Sequence, residues 1–381
     1  MTPAPSVDVR PTHVIVDLDR LQANYRAIVA HVGRPVMPVL KANAYGHGLS
    51  SCARALQGVG ATHFAVATME EGAELRAAGV GGRILVLGGL SASQIPEFLK
   101  NGLDLTASSV DKLIAVDSVA KRLGRRATVH LKFDTGMGRI GQHHETAHLL
   151  IEAANRAKNV DVGGIYSHLA TADEVDASFV QVQVERFAAI ADWWSSRGLT
   201  VPTRHLANSA GVLRFPETWC DLVRPGLMLY GVAPAAHLPV LPGMRAVLSW
   251  WTRVVYFKVG RKGAGVSYGH TWAPAQDTRL VTIPVGYGDG YMRRMSGRSH
   301  VVIRGQRRPV VGTVCMDMAV VDLGPDGEAY NGDPVLLLGD VAAGRVEASE
   351  LAEWAGTIPW EVLTAIHARV PRVFRGGLSP G

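Results

Sequence analysis

The sequence predicts an α/β protein, a parallel (β/α)8 TIM-like barrel followed by a mostly β C-terminal domain, and three observations lead there. About eight short apolar runs rich in β-branched residues recur before Ala235 at intervals of roughly 20 to 40 residues, with helix-like segments between them. That many β-then-α units in about 230 residues suits a barrel better than a doubly wound sheet. Past AAHLPVLPG the texture changes to β-rich runs punctuated by Gly, Pro and Asp. The expected domains are therefore residues 1–240 and 241–381.

In chain order the barrel strands are VMPVLKA, HFAVA, ILVLGG, DLTAS, TVHLKFD, VGGIYSH, TRHLANS and LMLYGVAP. Strands covered on both faces read as continuous apolar runs, as these do. Segments such as MEEGAELRAAG and SFVQVQVERFAAIADWWSSRG carry an apolar stripe at helical spacing and close on glycine, the usual helix stop. In the second domain AVLSWWTRVVYFKV, RLVTIPVGY, SHVVIRG and PVLLLGD read as strands, and ASELAEWAG as a helix.

Composition narrows the function. Charged residues are only 19% of the chain and no low-complexity tract interrupts it, so a globular protein is expected. The net charge of +6 is dispersed through KRLGRR, GRKG, RRMSGR and RGQRR without interleaved aromatic residues, which argues against nucleic acid and suits a small anionic ligand. No apolar run approaches a membrane span and no basic-then-apolar leader opens the sequence, so a cytoplasmic protein is expected. Cys52, Cys220 and Cys315 have no paired spacing and read as reduced thiols.

Barrel chemistry sits at the C-terminal ends of the strands. Lys41 ends the first run, Arg139 follows the fifth, His168 ends the sixth, and Asn208 with Ser209 ends the seventh. A strand-terminal lysine commonly snorkels to water, but a desolvated one has a lowered pKa and condenses with an aldehyde, as pyridoxal phosphate enzymes require. Tyr45, Gly46 and Gly48 then offer a hydroxyl and close backbone approach to a phosphate. Arg224 reads either as a buried partner of Asp221 or as the partner of a pyridine nitrogen. One motif points elsewhere: His144 to His148 read HETAH, the zinc-hydrolase pattern HExxH, though no third ligand follows at the spacing that pattern needs.

Together VLKANAYGHG, LKFDTGMGRIG, GIYSHLATAD, HLANSAGVLRFPE, DLVRPGLMLYG, VSYGHTW, PVGYGDGY, CMDM and ARVPR form an ordered set that resembles the alanine racemase family, fold-type III pyridoxal 5'-phosphate enzymes. The similarity runs from about Asp17 to Arg372. It implies that Lys41 binds the cofactor and serves as base on one face of the substrate carbon, with Tyr268 as base on the other. It further implies a homodimer in which Tyr268, Tyr287, Met316 and Asp317 reach the partner's site. Arg139 would bind the substrate carboxylate, oriented by Lys132, which is often carbamylated in the family. Tyr45, Ser209 and Gly226 would hold the phosphate, with Asn208 beside them, Arg224 the pyridine nitrogen, and His168 would pack by the ring and bond Tyr268.

The chemistry of racemisation agrees, because a poorly acidic proton must leave one face and return to the other, which takes two bases and an electron sink. A tyrosine with a reference pKa of about 10 needs positive charge nearby to serve as a base, and Arg139 or His168 could supply it. The chain departs from the family at TIPWEV, where Trp360 replaces a tyrosine that touches the phosphate and bounds the substrate pocket. Indole donates one hydrogen bond and accepts none, so strictness for alanine over serine or larger amino acids is open. A racemase of another amino acid, a fold-related decarboxylase, a silent cofactor-binding protein and a zinc hydrolase remain the alternatives.

Overall fold

The computed structural model describes residues 10–377. Its residues group into two compact units. One comprises Leu21–Ala44 and Leu49–Met244, and the other comprises residues 10–20, the stretch Tyr45–Gly48 and residues 245–377.

The first unit carries parallel strands alternating with helices. His63–Val66 pairs with Arg83–Val86, and Leu105–Ala107, Ala127–Asp134, Val160–Tyr166 and Thr203–His205 pair in that order. Single parallel bridges at Val36–Val223, Val39–Ala65 and Leu85–Asp104 join these ladders, so the ring of strands is interrupted rather than continuous. Leu40, Phe64, Ile84, Leu105, Leu131, Phe133 and Ile165 are fully buried. This is the two-sided burial that their uninterrupted apolar runs require. Helices such as Met69–Ala77, Val110–Arg122, Ala147–Arg156 and Phe179–Ser195 follow the strands.

One expected strand is corrected. LMLYGVAP is not extended; Leu227–Tyr230 forms a short 3-10 turn ended by Gly231 in the left-handed region. The eighth barrel position is taken instead by Val223, whose backbone bonds to Pro35 and Met37. Leu227 to Tyr230 are all buried, and a run buried on every side has no periodicity to distinguish turn from strand. The shift puts Arg224 at a strand end.

The second unit is built on a ten-stranded sheet. Its order is Tyr256–Gly260, Thr278–Ile283, Ala319–Gly324, Gln306–Val311, His300–Ile303, Pro334–Val341, Leu248–Arg253, His13–Asp17 and Arg372–Arg375, with Gly344–Val346 paired to Pro334–Val341. His13–Asp17 lies between Leu248–Arg253 and Arg372–Arg375. Residues 10–20 therefore group with the C-terminal unit, where a split at residue 240 had placed them in the barrel. An alternating strand such as HVIVD announces that it pairs but not with what.

Candidate active site

Lys41 opens a turn with an unusual backbone. Ala42, Asn43, Ala44 and Tyr45 all have φ between 53° and 55°, the left-handed region that costs a residue with a side chain roughly 1–2 kcal/mol each. Local bonds hold it there. Ala42 N–H donates to Glu71 Oε1 at 2.6 Å, and Leu49 N–H donates to Asn43 Oδ1 at 2.7 Å. Glu71 is already fixed, since it closes the capping box of Met69–Ala77 with Thr68 and accepts from Ala67 N–H at 2.8 Å. Burial lowers the Lys41 amine below the usual lysine range, Arg139 adds to the effect, and Glu71 partly opposes it.

Four cations meet in this unit. Lys132, 5% exposed, lies on the strand Ala127–Asp134 with its Nζ 5.1 Å from the Tyr166 ring centre. Arg224, 3% exposed, sits with its guanidinium carbon 5.2 Å from the same ring. Burial, then Arg224 and Arg139, push Lys132 down to about 7. Burial followed by Arg224, Lys132, Arg139 and Lys41 keeps His168 well below the ordinary histidine value, so it is neutral. The Tyr166 hydroxyl bonds Thr106 Oγ at 2.7 Å and is pushed up to about 12 by burial. Such a cluster is stable as a binding site for anionic ligands and costly without them.

Arg224 does not pair with Asp221, which instead takes two bonds from the Arg204 guanidinium, each 3.0 Å. Its own Nη1 donates to His205 Nδ1 at 2.9 Å and its Nη2 to the carbonyls of Ser167 and Leu206 at 2.7 and 3.2 Å. Its Nε–H has no protein partner among the described residues. Ser209 Oγ accepts from the N–H groups of Gly226 and Met228 at 3.0 and 3.3 Å, which leaves its proton to donate outward. Asn208 has a structural task, capping the helix Ser209–Arg214 by accepting from Gly211 N–H at 2.9 Å. Arg139 is exposed on the glycine-rich loop after its strand.

In the other unit the buried Tyr45 opens the stretch Tyr45–Gly48, which lies against the helix Pro359–Ala365 that bears Trp360. A Cβ on Gly46 would fall 2.3 Å from the Leu363 carbonyl oxygen, so glycine is required for that approach. Tyr268 is 72% exposed. Its loop is nevertheless tied: Ser267 Oγ donates to Thr313 O at 2.6 Å and Thr313 Oγ1 to Tyr268 O at 2.8 Å. Tyr287 and Met316 are exposed on two loops joined by Tyr287 N–H to Cys315 O at 3.1 Å and Gly288 N–H to Met316 O at 2.9 Å. Asp317 is held by Arg369 at 2.8 Å, and Arg369 also bonds the fully buried Asp289.

HETAH does not form one helical face. His144–Thr146 is a 3-10 turn, the helix starts at Ala147, and His148 lies by Trp193 with ring centres 6.5 Å apart. No three metal-ligating side chains gather among the described residues. Sequence reasoning missed Tyr166, which stacks on His205 at 4.8 Å and 8°, and the pair His205 and His130. Their signal was polar rings inside otherwise apolar runs.

Family models match both parts of the chain: "Alanine racemase, N-terminal domain" over residues 16–234 and "Alanine racemase, C-terminal domain" over residues 247–374. An alanine racemase of Geobacter sulfurreducens is 41% identical over 97% of this chain and 98% of its own length. That of Symbiobacterium thermophilum is 42% identical over 97% and 98%. The crystal structure of alanine racemase from Streptomyces lavendulae superposes with a TM-score of 0.92 at 38% identity, covering 99% of both chains. One from Bacillus anthracis, solved with bound L-Ala-P, gives 0.89 at 35% identity over 98% and 97%.

Proposed function

The chain belongs to the alanine racemase family, pyridoxal 5'-phosphate enzymes, and from that premise we propose how its residues interconvert L- and D-alanine. The observation that carries the proposal is the gathering of Lys41, Lys132, Arg139 and Arg224 around Tyr166 and His168 in one unit.

The donor set fits the cofactor. An outward-donating Ser209 hydroxyl with Gly226 beside it suits a phosphate, the Arg224 Nε–H suits a ring nitrogen, and an amine of lowered pKa suits an aldehyde. When bound, pyridoxal phosphate supplies the electron sink that makes the α-proton of an amino acid removable. Lys41 carries the cofactor and takes or returns the proton on one face of the substrate carbon. Tyr268 does the same on the opposite face. Arg139 binds the substrate carboxylate, and Lys132 orients Arg139. Burial and the surrounding cations hold His168 well below the ordinary histidine value, so of the two candidates for positive charge beside Tyr268 we assign Arg139.

Tyr268 stands out from its own unit on a tied loop, and we assign it, with Tyr287, Met316 and Asp317, to the site of a second copy in a homodimer. The three cysteines are free, which supports a reducing, cytoplasmic setting. There the D-alanine serves cell-wall precursors or is catabolised. The test is racemisation of L-alanine and, in parallel, L-serine, followed by chiral chromatography, with the visible spectrum recorded before and after borohydride. D-alanine formation with a reducible chromophore that is lost in Lys41→Ala supports the assignment. Carbon dioxide release would identify a decarboxylase instead, and a colourless, inactive protein that added cofactor does not restore would sink it.

A further inference from the structure

Arg224 is a buried cation with no carboxylate in contact, an expensive arrangement unless a counter-charge lies within reach. A line of buried side chains leads from it to one. Arg224 Nη1 lies 2.9 Å from His205 Nδ1, and His205 Nε2 lies 2.8 Å from His130 Nδ1. His130 Nε2 then approaches Asp104 Oδ2 at 3.8 Å, an electrostatic contact too long for a hydrogen bond. Asp104 is itself buried and is held by Arg83 Nε at 2.8 Å.

The direction of every bond follows from one fact, that a guanidinium only donates. His205 must accept at Nδ1, so when neutral it carries its proton on Nε2. That proton is donated to His130 Nδ1, and His130 in turn carries its proton on the nitrogen that faces Asp104. All donors point away from Arg224 and toward the carboxylate. Burial, then Arg224, holds His205 well below the usual histidine range, which keeps it in this neutral form.

The neighbouring strand is shaped around the column. Gly163 and Gly164 interrupt Val160–Tyr166, where glycine weakens a strand and marks a close approach. A Cβ on Gly164 would lie 2.6 Å from His130 Nδ1, and one on Gly163 would lie 3.2 Å from His130 Nε2 and 3.4 Å from Arg83 Nη2.

We propose that Asp104 is the remote counter-ion of Arg224, coupled to it through the neutral imidazoles of His205 and His130, and that this column sets the orientation and charge of the guanidinium offered to the cofactor. Asp104, His130 and His205 are positioning residues; none of them touches the reacting atoms. The second half of the proposal rests on Arg224 serving the ring nitrogen.

The test is nitrogen NMR of the full-length holoenzyme, with histidine and arginine side chains labelled, for the native chain, Asp104→Asn, Asp104→Glu and His130→Asn. In the native chain both imidazoles should show a neutral ring protonated at Nε2. Asp104→Asn should move the Arg224 guanidinium signals, although the two residues do not touch. It should also shift the absorption band of the bound cofactor and weaken cofactor binding about tenfold, the scale of one coupled polar contact. Asp104→Glu should recover most of both. If Asp104→Asn does not fold, His130→Asn must give the same Arg224 shift with Asp104 still in place. A role limited to stability would lower the melting temperature without moving Arg224, and that result, or a His205 ring protonated at Nδ1, overturns the proposal. Movement of Arg224 with an unchanged cofactor band would refute the link to the ring nitrogen, while a chromophore still reducible by borohydride would leave the racemase reading intact.

Discussion

Lys132 should titrate near neutrality, and the reason is calculable from its surroundings. It is almost fully buried and faces Arg224, Arg139 and Lys41, with only Asp134 opposing them, so its amine falls from an ordinary 10.5 to about 7. At pH 8 such an amine is mostly neutral, about 300-fold richer in free base than an ordinary lysine, and the shift corresponds to ~5 kcal/mol of disfavoured charge. Because the folded state binds this proton less tightly than the unfolded chain, stability must rise as pH climbs from about 7 toward 10.5. The full penalty is present below pH 7. Lys132→Met should therefore stabilise the cofactor-free protein by a few kcal/mol at pH 6.5 and much less at pH 9.5, read by denaturant unfolding at each pH. A free amine of this kind also reacts with carbon dioxide. Labelled bicarbonate at pH 8 should give a carbamate carbon signal that Lys132→Ala abolishes, and the resulting anion would face Arg139. A Lys132 midpoint above pH 9 by carbon NMR, together with a stability difference that ignores pH, would refute the reasoning.

Three further outcomes follow from the site. Mixing Lys41→Ala and Tyr268→Phe chains under exchange should restore about a quarter of native activity, because half the dimers are hybrids and one hybrid site holds both bases; no recovery despite proven exchange would defeat the shared-site assignment. Replacing Arg224 with Glu should raise transamination of alanine relative to racemisation, measured as pyruvate formed per turnover, since a carboxylic acid can protonate a ring nitrogen that a guanidinium cannot. Trp360→Tyr should change the ratio of serine to alanine turnover by about tenfold, the usual worth of a small change in pocket volume; an unaltered ratio would remove Trp360 from the pocket wall.

The barrel was legible because parallel strands buried on both faces must be apolar throughout, and their spacing survives any error in their ends. The same property hid the eighth position, where Leu227 to Tyr230 are as buried as a strand but form a turn, and the pairing falls to Val223. Lys41, His168 and Asn208 with Ser209 were placed on one rim because each ends a run, and Arg139 because it follows one. Arg224 was singled out, but its partner was not: Asp221 is near in sequence and bonds Arg204, while His205 is reached only through the fold. Asn208 caps a helix, and capping asks for the same polar residue at a helix start as ligand binding does. HETAH failed for want of a continuous helix, which its five residues alone cannot specify.

The left-handed turn after Lys41 shows how such a site is kept. Four consecutive residues with side chains in that region cost roughly 4–8 kcal/mol together, a large share of what holds an ordinary domain folded. An Ala-to-Gly change at Ala42 or Ala44 would relieve part of the strain, yet the native chain keeps alanine at both. The bonds from Ala42 N–H to Glu71 and from Leu49 N–H to Asn43 fix the turn at two points, and Glu71 is anchored in turn by its own helix cap. A glycine turn would be cheaper in the folded state but would open many backbone states in the unfolded and loosely folded ones. Strain held by such bonds gives Lys41 one backbone geometry, and the base role we propose for it, meeting the same carbon from one face at each turnover, depends on that geometry more than on the lost stability.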